Sequence, residues 1–162
     1  MGTNMIVVGM ADLNATRLPG ALTTLGLGSC VGIALYDSVN KVAGLAHAML
    51  PDSSAFINNN NRMKYVDTSI VDLINKMRIQ GARKEFIKAK VAGGAQMFAF
   101  NSTNESMRIG DRNVEATLRI LRSMNIPVIS RETGDNFGRT VELYSEDGRF
   151  VIKTINHGTR II

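Results

Sequence analysis

The 162-residue chain has one cysteine, Cys30, so no internal disulfide can staple it, and a disulfide framework is excluded. A lone thiol also fits a reducing compartment. No apolar run approaches the roughly 20 residues needed to cross a bilayer. The first residues, Met1 to Gly9, carry neither a basic start nor a long apolar stretch, so no signal peptide is expected. There is no internal repeat, no long linker and no Walker A sequence. Gly26-Leu27-Gly28 lacks the third glycine and the opening helix of a dinucleotide fingerprint. One cysteine and two well-separated histidines, His47 and His157, match no usual zinc spacing, and no metal is called for. What is present is ordinary for a globular protein: 44% apolar and 20% charged residues. Length and composition together describe one cytoplasmic domain spanning residues 1–162, long enough to bury a full core.

The net charge of +5 is concentrated. Residues 61–90 carry eight basic side chains against three acidic ones, and the rest of the chain is nearly balanced. Such a stripe can attract nucleic acid or another anionic surface. Here the basic residues are spread through a helix and a strand without aromatic interleaving, which favours a solvated basic face over a nucleic-acid partner.

Apolar runs at Met5–Met10, Leu22–Leu27, Cys30–Asp37 and Lys41–Leu50 read as strands, and Leu13–Gly20 as a turn-rich loop. The short Ser38-Val39-Asn40 turn predicts a hairpin that brings the Cys30 strand beside the His47 strand. Asp52–Asn61 is polar and Asn-rich and reads as a mobile loop. Between Lys64 and Gln80, Val66, Ile70, Val71, Ile74, Met77 and Ile79 recur at helical spacing. A second helix over Arg112–Met124 would turn Val114, Leu118, Leu121 and Ile120 to the core, with Asp111 as its cap. Glu85–Ala92, Pro127–Arg131, Thr140–Ser145 and Arg149–Ile155 complete roughly eight strands, and Asn156–Thr159 reads as a terminal turn. This pattern is α+β: a layered α/β sandwich of mostly antiparallel or mixed sheets with two main helices.

The chemistry-bearing residue is Cys30, directly after Gly26-Leu27-Gly28-Ser29 at the junction of two strands. Glycines allow close backbone approach, so such a turn can offer a thiol and one or two N–H groups to the same small pocket. A free thiol is only a few per cent ionised at neutral pH and needs a base, and His47 is the nearer histidine by strand adjacency. Thr23 or Thr24 would then orient the imidazole, Thr24 if strand alternation puts it on the Cys30 side. The competing reading is a buried, inert thiol and a satisfied core histidine. Gly93-Gly94 and Ile109-Gly110-Asp111-Arg112-Asn113 read as a turn and a helix start rather than as pocket features.

Four segments in succession resemble the motifs of the chemoreceptor glutamine deamidases, the CheD family of bacterial and archaeal chemotaxis. They are Thr24-Leu25-Gly26-Leu27-Gly28-Ser29-Cys30, His47-Ala48-Met49-Leu50-Pro51, Ala92-Gly93-Gly94-Ala95-Gln96-Met97-Phe98 and Ile109-Gly110-Asp111-Arg112-Asn113. The resemblance runs from about Leu22 to about Leu143. It implies a cofactor-free amidohydrolase that converts glutamine side chains of methyl-accepting receptors to glutamate, releasing ammonia. Carried over by position, Cys30 is the nucleophile, His47 the general acid/base and Thr24 the residue orienting it. The implied fold is similar to the catalytic domain of the glutamine-deamidating cytotoxic necrotizing toxins, and the implied second partner is a chemotaxis phosphatase of the CheC family. A non-catalytic adaptor that regulates that phosphatase or the receptors by binding alone is the alternative. One departure stands out: the family's Thr-Gly-Gly before a late Gly-Arg pair is here Thr133-Gly134-Asp135, putting the shape of that loop in question.

Overall fold

Residues 3–55, 61–97 and 108–162 are described in the computed structural model. Ten strands and two α-helices are assigned among them: β1 (Asn4–Val7), β2 (Asp12–Arg17), β3 (Gly20–Leu27), β4 (Val31–Asp37), β5 (Val42–Ala48), α1 (Val66–Ile79), β6 (Ile87–Gly93), α2 (Ile109–Ser123), β7 (Val128–Thr133), β8 (Arg139–Tyr144), β9 (Phe150–Lys153) and β10 (Thr159–Ile161). They form two five-stranded sheets, ordered β1-β3-β8-β9-β10 and β2-β5-β4-β6-β7. Pairing is antiparallel except for β1 with β3 and β6 with β7. The β6–α2–β7 segment is a βαβ crossover, which explains why its two strands run parallel.

Strand alternation builds the layers. In β4, Val31, Ile33 and Leu35 face a core shared with Val66, Ile70, Leu73, Ile74 and Met77 of α1, and with Ala116 and Leu121 of α2. From the same strand Ala34, and just before it Cys30, face a second core with Leu22 and Leu27 of β3, Val141 and Leu143 of β8, and Phe150 and Ile152 of β9. The second sheet is thus the middle of three layers, helices on one face and the first sheet on the other. Gly44 permits the close approach of α1: a Cβ there would lie 2.6 Å from Met77 Sδ and 2.9 Å from Leu73 Cδ1. The β4–β5 hairpin closes on Asp37, whose carboxylate accepts from the Val39 and Asn40 N–H groups (2.9 Å each), from Asn40 Nδ2 (2.8 Å) and from the Arg83 N–H (2.8 Å). Burial raises the Asp37 pKa, but these hydrogen bonds outweigh it and hold the carboxyl below its ordinary value.

The layered α+β architecture agrees with the sequence pattern, and several local expectations change. The segment read as a loop over Leu13–Gly20 is mostly strand β2, with Leu13 and Ala15 buried. Residues Thr159–Ile161 form β10 against β9, where only a terminal turn was expected. On α1 the buried face is Val66, Ile70, Leu73, Ile74 and Met77, while Val71 is 39% and Ile79 85% exposed. Position 73 lies one helical turn from both 70 and 77, whereas 71 and 79 are rotated off that face. On α2 the buried residues are Gly110, Asn113, Ala116, Thr117 and Leu121; Val114, Leu118 and Ile120 are half-buried. The cap position is Arg108, and Asp111 sits inside the first turn, where a carboxylate suits the helix dipole. The expected mobile loop over Asp52–Asn61 lies largely outside the described residues, as does Phe98 of the third motif.

Candidate active site

The chain passes from the first sheet to the second between β3 and β4, and Gly28-Ser29-Cys30 is that crossing. Pairing of β3 with β8 slips between Thr24 and Leu27, so Leu25 and Gly26 form a bulge, with Gly26 at φ +68°. A bulge re-aims the strand end. Gly28 packs against Met97: a Cβ on it would come within 3.2 Å of Met97 Cγ.

The hairpin expected from sequence brings Cys30 and His47 together. Gly32 is registered opposite His47 and Val31 opposite Ala48, so Cys30, two residues before Gly32, shares the His47 face of the sheet on the diagonal. That face looks toward the first sheet, which supplies Thr24. The Thr24 hydroxyl lies 2.7 Å from His47 Nδ1 and 2.7 Å from the Val8 carbonyl oxygen. It has one proton, and the carbonyl can only accept, so Oγ1 donates to Val8 and accepts from Nδ1–H. This assigns the tautomer: Nδ1 carries the proton and Nε2 a free lone pair. Nε2 is buried and has no hydrogen-bond partner among the described residues. His47 is 1% exposed, and burial lowers its pKa from the ordinary 6.5, keeping the ring neutral. Cys30 is 8% exposed, and burial raises its thiol pKa, partly offset by its own backbone N–H. The resting pair is therefore thiol and neutral imidazole, not thiolate and imidazolium.

The Gly28–Cys30 segment is held through its carbonyls. Gly28 C=O accepts from the Ala95 N–H (2.9 Å), Ser29 C=O from Asn113 Nδ2 (2.9 Å) and Cys30 C=O from the Gly94 N–H (2.8 Å). No acceptor on another described residue pairs with the Ser29 or Cys30 N–H. A planar trans peptide points its C=O and N–H in opposite directions, so the Ser29 N–H points away from the Ala95 tether and the Cys30 N–H away from Asn113. Gly93 and Gly94 make the tether possible. Both have positive φ, +102° and +65°, and a Cβ would collide with the Cys30 carbonyl oxygen at Gly93 and with Val114 at Gly94. Gly93 is the last residue of β6 and Gly94 follows it directly, where a turn is read from sequence, and the pair holds the Cys30 backbone.

Asp135 also takes positive φ, +58°, after Gly134 at +85°, a conformation aspartate accepts more readily than most residues. Asp135 C=O accepts from the Gln96 N–H (2.9 Å), the Gly134 N–H donates to Gly93 C=O (3.0 Å), and the Asp135 carboxylate lies 3.8 Å from the Arg139 guanidinium. Behind it lies the buried Arg139, paired with Glu132, donating to Gly134 C=O at 2.9 Å and stacked 4.5 Å from the Phe137 ring. Neither this ion pair nor the Val8 contact had a local sequence signal. His157 is elsewhere, stacked on Phe137 at 4.1 Å beside a cleft of about 650 Å³ bordered by Gly26, Met97, Arg139 and Lys153. In the basic segment, Arg62 pairs with Asp72, Arg83 with Glu85, and Lys90 donates to the Gly148 and Ile162 carbonyls. No cluster of three metal-ligating side chains occurs among the described residues, and no helix there is long and apolar enough to cross a membrane.

The family model described as CheD chemotactic sensory transduction matches residues 49–154. The chain belongs to the CheD family. It is 51% identical to the probable chemoreceptor glutamine deamidase CheD of Caldanaerobacter subterraneus subsp. tengcongensis over the whole of both chains. It is 49% identical to the chemoreceptor glutamine deamidase CheD of Halalkalibacterium halodurans, over 98% of this chain and 99% of that one. Among solved structures it resembles Neisseria meningitidis protein NMB0706, at a TM-score of 0.51 and 9% identity, over 83% of this chain and 65% of that one. That likeness concerns the layered fold alone.

Proposed function

We propose that this CheD-family protein is a cysteine amidohydrolase that deamidates glutamine side chains of chemoreceptors, with Cys30 as nucleophile, His47 as acid/base and Thr24 as the residue orienting it. The observation that carries the reading is the assigned tautomer of His47: a neutral, buried imidazole with its Nε2 lone pair unpartnered, on the sheet face it shares with a thiol. A core histidine kept only for packing would have both nitrogens satisfied.

In this reading the thiol proton moves to His47 Nε2 as Sγ bonds to the glutamine Cδ. Negative charge develops on the amide oxygen, which the Ser29 and Cys30 N–H groups face. Imidazolium Nε2–H then protonates the leaving nitrogen, the C–N bond breaks and ammonia departs, leaving a thioester. A water gives a proton to Nε2 and attacks the thioester carbon, the C–S bond breaks, and the sulfur recovers a proton from His47. The product is glutamate. Throughout, Nδ1–H stays on Thr24 Oγ1, so the ring keeps one orientation for both transfers.

Cytoplasmic residence and binding of a CheC-type chemotaxis phosphatase belong to the same proposal, with family membership as their support. The test is mass spectrometry of a chemoreceptor cytoplasmic fragment incubated with wild type and with Cys30→Ala. Glutamine-to-glutamate conversion at defined positions, with wild type only, is the expected result. A folded wild type that converts nothing across several receptors of its own organism sinks the enzymatic reading in favour of an adaptor that acts by binding.

A further inference from the structure

Asn113 reaches from α2 into the crossing between the two sheets and is fully buried. Its Nδ2 donates to Ser29 C=O and to Met49 C=O, 2.9 Å each, which uses both amide hydrogens. The flipped amide would set Oδ1 against two carbonyl oxygens, so the partners assign the orientation. Oδ1 is left buried without a partner among the described residues, a desolvation cost that a purely space-filling residue avoids. The two carbonyls are not arbitrary. Ser29 C=O shares its peptide plane with the Cys30 N–H, and Met49 lies two residues beyond His47.

We propose that Asn113 is a positioning residue of the deamidase site, its side-chain amide fixing the Ser29–Cys30 peptide plane to the end of the His47 strand and so aiming the Cys30 N–H at the developing oxyanion. The inference rests on the amidohydrolase reading. With Asn113 in place, the donor direction is set before substrate arrives; without it, the plane can rotate and the thiol remains but the donor is lost.

The test compares wild type, Asn113→Ala and Thr117→Ala. Thr117 is buried one turn further along α2 and donates to Asn113 C=O at 2.7 Å without touching the crossing, so it controls for helix destabilisation. Three readouts are used at matched folded fraction: kcat and KM on a receptor fragment, the Cys30-dependent acylation burst with p-nitrophenyl acetate, and alkylation by iodoacetamide, which develops no oxyanion. Asn113→Ala should lower kcat and the burst rate by about tenfold to hundredfold, with KM and alkylation within about threefold. Thr117→Ala should leave all of them near wild type. A burst rate within about threefold of wild type in Asn113→Ala, or equal losses in Thr117→Ala, overturns the proposal. If Asn113→Ala does not fold, Asn113→Ser decides: one hydroxyl donor can hold only one of the two carbonyls, so an unchanged burst rate again refutes the role. A wild-type burst without receptor conversion would sink the deamidase reading while leaving the Asn113 comparison valid.

Discussion

Replacing Thr24 by valine keeps the side chain's shape and removes one hydroxyl that serves two partners. Val8 C=O loses its donor and His47 Nδ1–H its acceptor, both in a buried setting. Each orphaned group costs about 2 kcal/mol in the middle of the usual range, and the gained methyl returns less than about 1, so Thr24→Val should lose about 3 kcal/mol of stability. At about 2–4 °C per kcal/mol for a domain of this size, Tm should fall by roughly 6–12 °C. Activity should fall further than stability. The ring is no longer held to the Nδ1–H tautomer, and its Nε2 lone pair is no longer aimed, which should cost about tenfold to hundredfold in kcat. Thr24→Ser separates the causes. It keeps both hydrogen bonds and loses a methyl, so it should cost about 1 kcal/mol and stay within about threefold of wild-type kcat. The assay is ammonia release from a receptor fragment at a temperature where every variant is fully folded. A Thr24→Val protein with wild-type kcat, or a Thr24→Ser protein as impaired as Thr24→Val, would refute the reasoning about the tautomer.

Two further predictions concern pH and the hairpin. Because burial lowers the His47 pKa, the unfolded chain binds a proton that the native state refuses once the pH drops below about 6.5, so stability should fall from there downward. His47→Gln should flatten that slope in urea titrations at pH 5 and 7; an unchanged slope would mean His47 is not the group responsible. Asp37→Ala removes a buried carboxylate that accepts four N–H hydrogen bonds and should cost about 2–4 kcal/mol at pH 7. Since the Asp37 pKa is depressed in the native state, that contribution is present above the ordinary carboxyl value and vanishes as pH falls through the native one. The gap between wild type and Asp37→Ala should therefore close below about pH 4, and a gap that persists at pH 2 would assign the loss to packing instead.

What could be read from sequence was local, and what could not was set by distant partners. The β4–β5 hairpin was legible because Asp37 to Asn40 is a compact polar turn between two apolar runs. β2 was not: Asp12, Asn14 and Thr16 look like loop residues, and they form a strand only because Leu13 and Ala15 alternate into the core beside β5. β10 is three exposed residues held by pairing with β9, and its one apolar side chain, Ile161, is too little to mark a strand. The parallel pairing of β1 with β3, and the antiparallel pairing of β3 with β8 across more than a hundred residues, had no local trace.

The site divides along the same line. Cys30 immediately precedes β4 and His47 lies on the adjacent antiparallel β5, so one hairpin sufficed to bring them to a common face. Of two adjacent threonines, alternation favours Thr24 if its side chain turns to the Cys30 side; its hydroxyl lies 2.7 Å from His47 Nδ1, while its neighbour Thr23 donates to Val141 C=O at 2.8 Å. The groups that hold Thr24 and the Gly28–Cys30 segment were out of reach, because each contact has a backbone atom on at least one side. Val8 contributes a carbonyl, Ala95 and Gly94 contribute N–H groups, and Asn113 grips two carbonyls from a helix 84 positions from Ser29. Side-chain identity says little about such partners, since any non-proline residue has the same N–H and C=O. Asn113 is the exception: an asparagine on the buried stripe of an amphipathic helix conflicts with its neighbours, and a local conflict of that kind marks a position held for something other than the core.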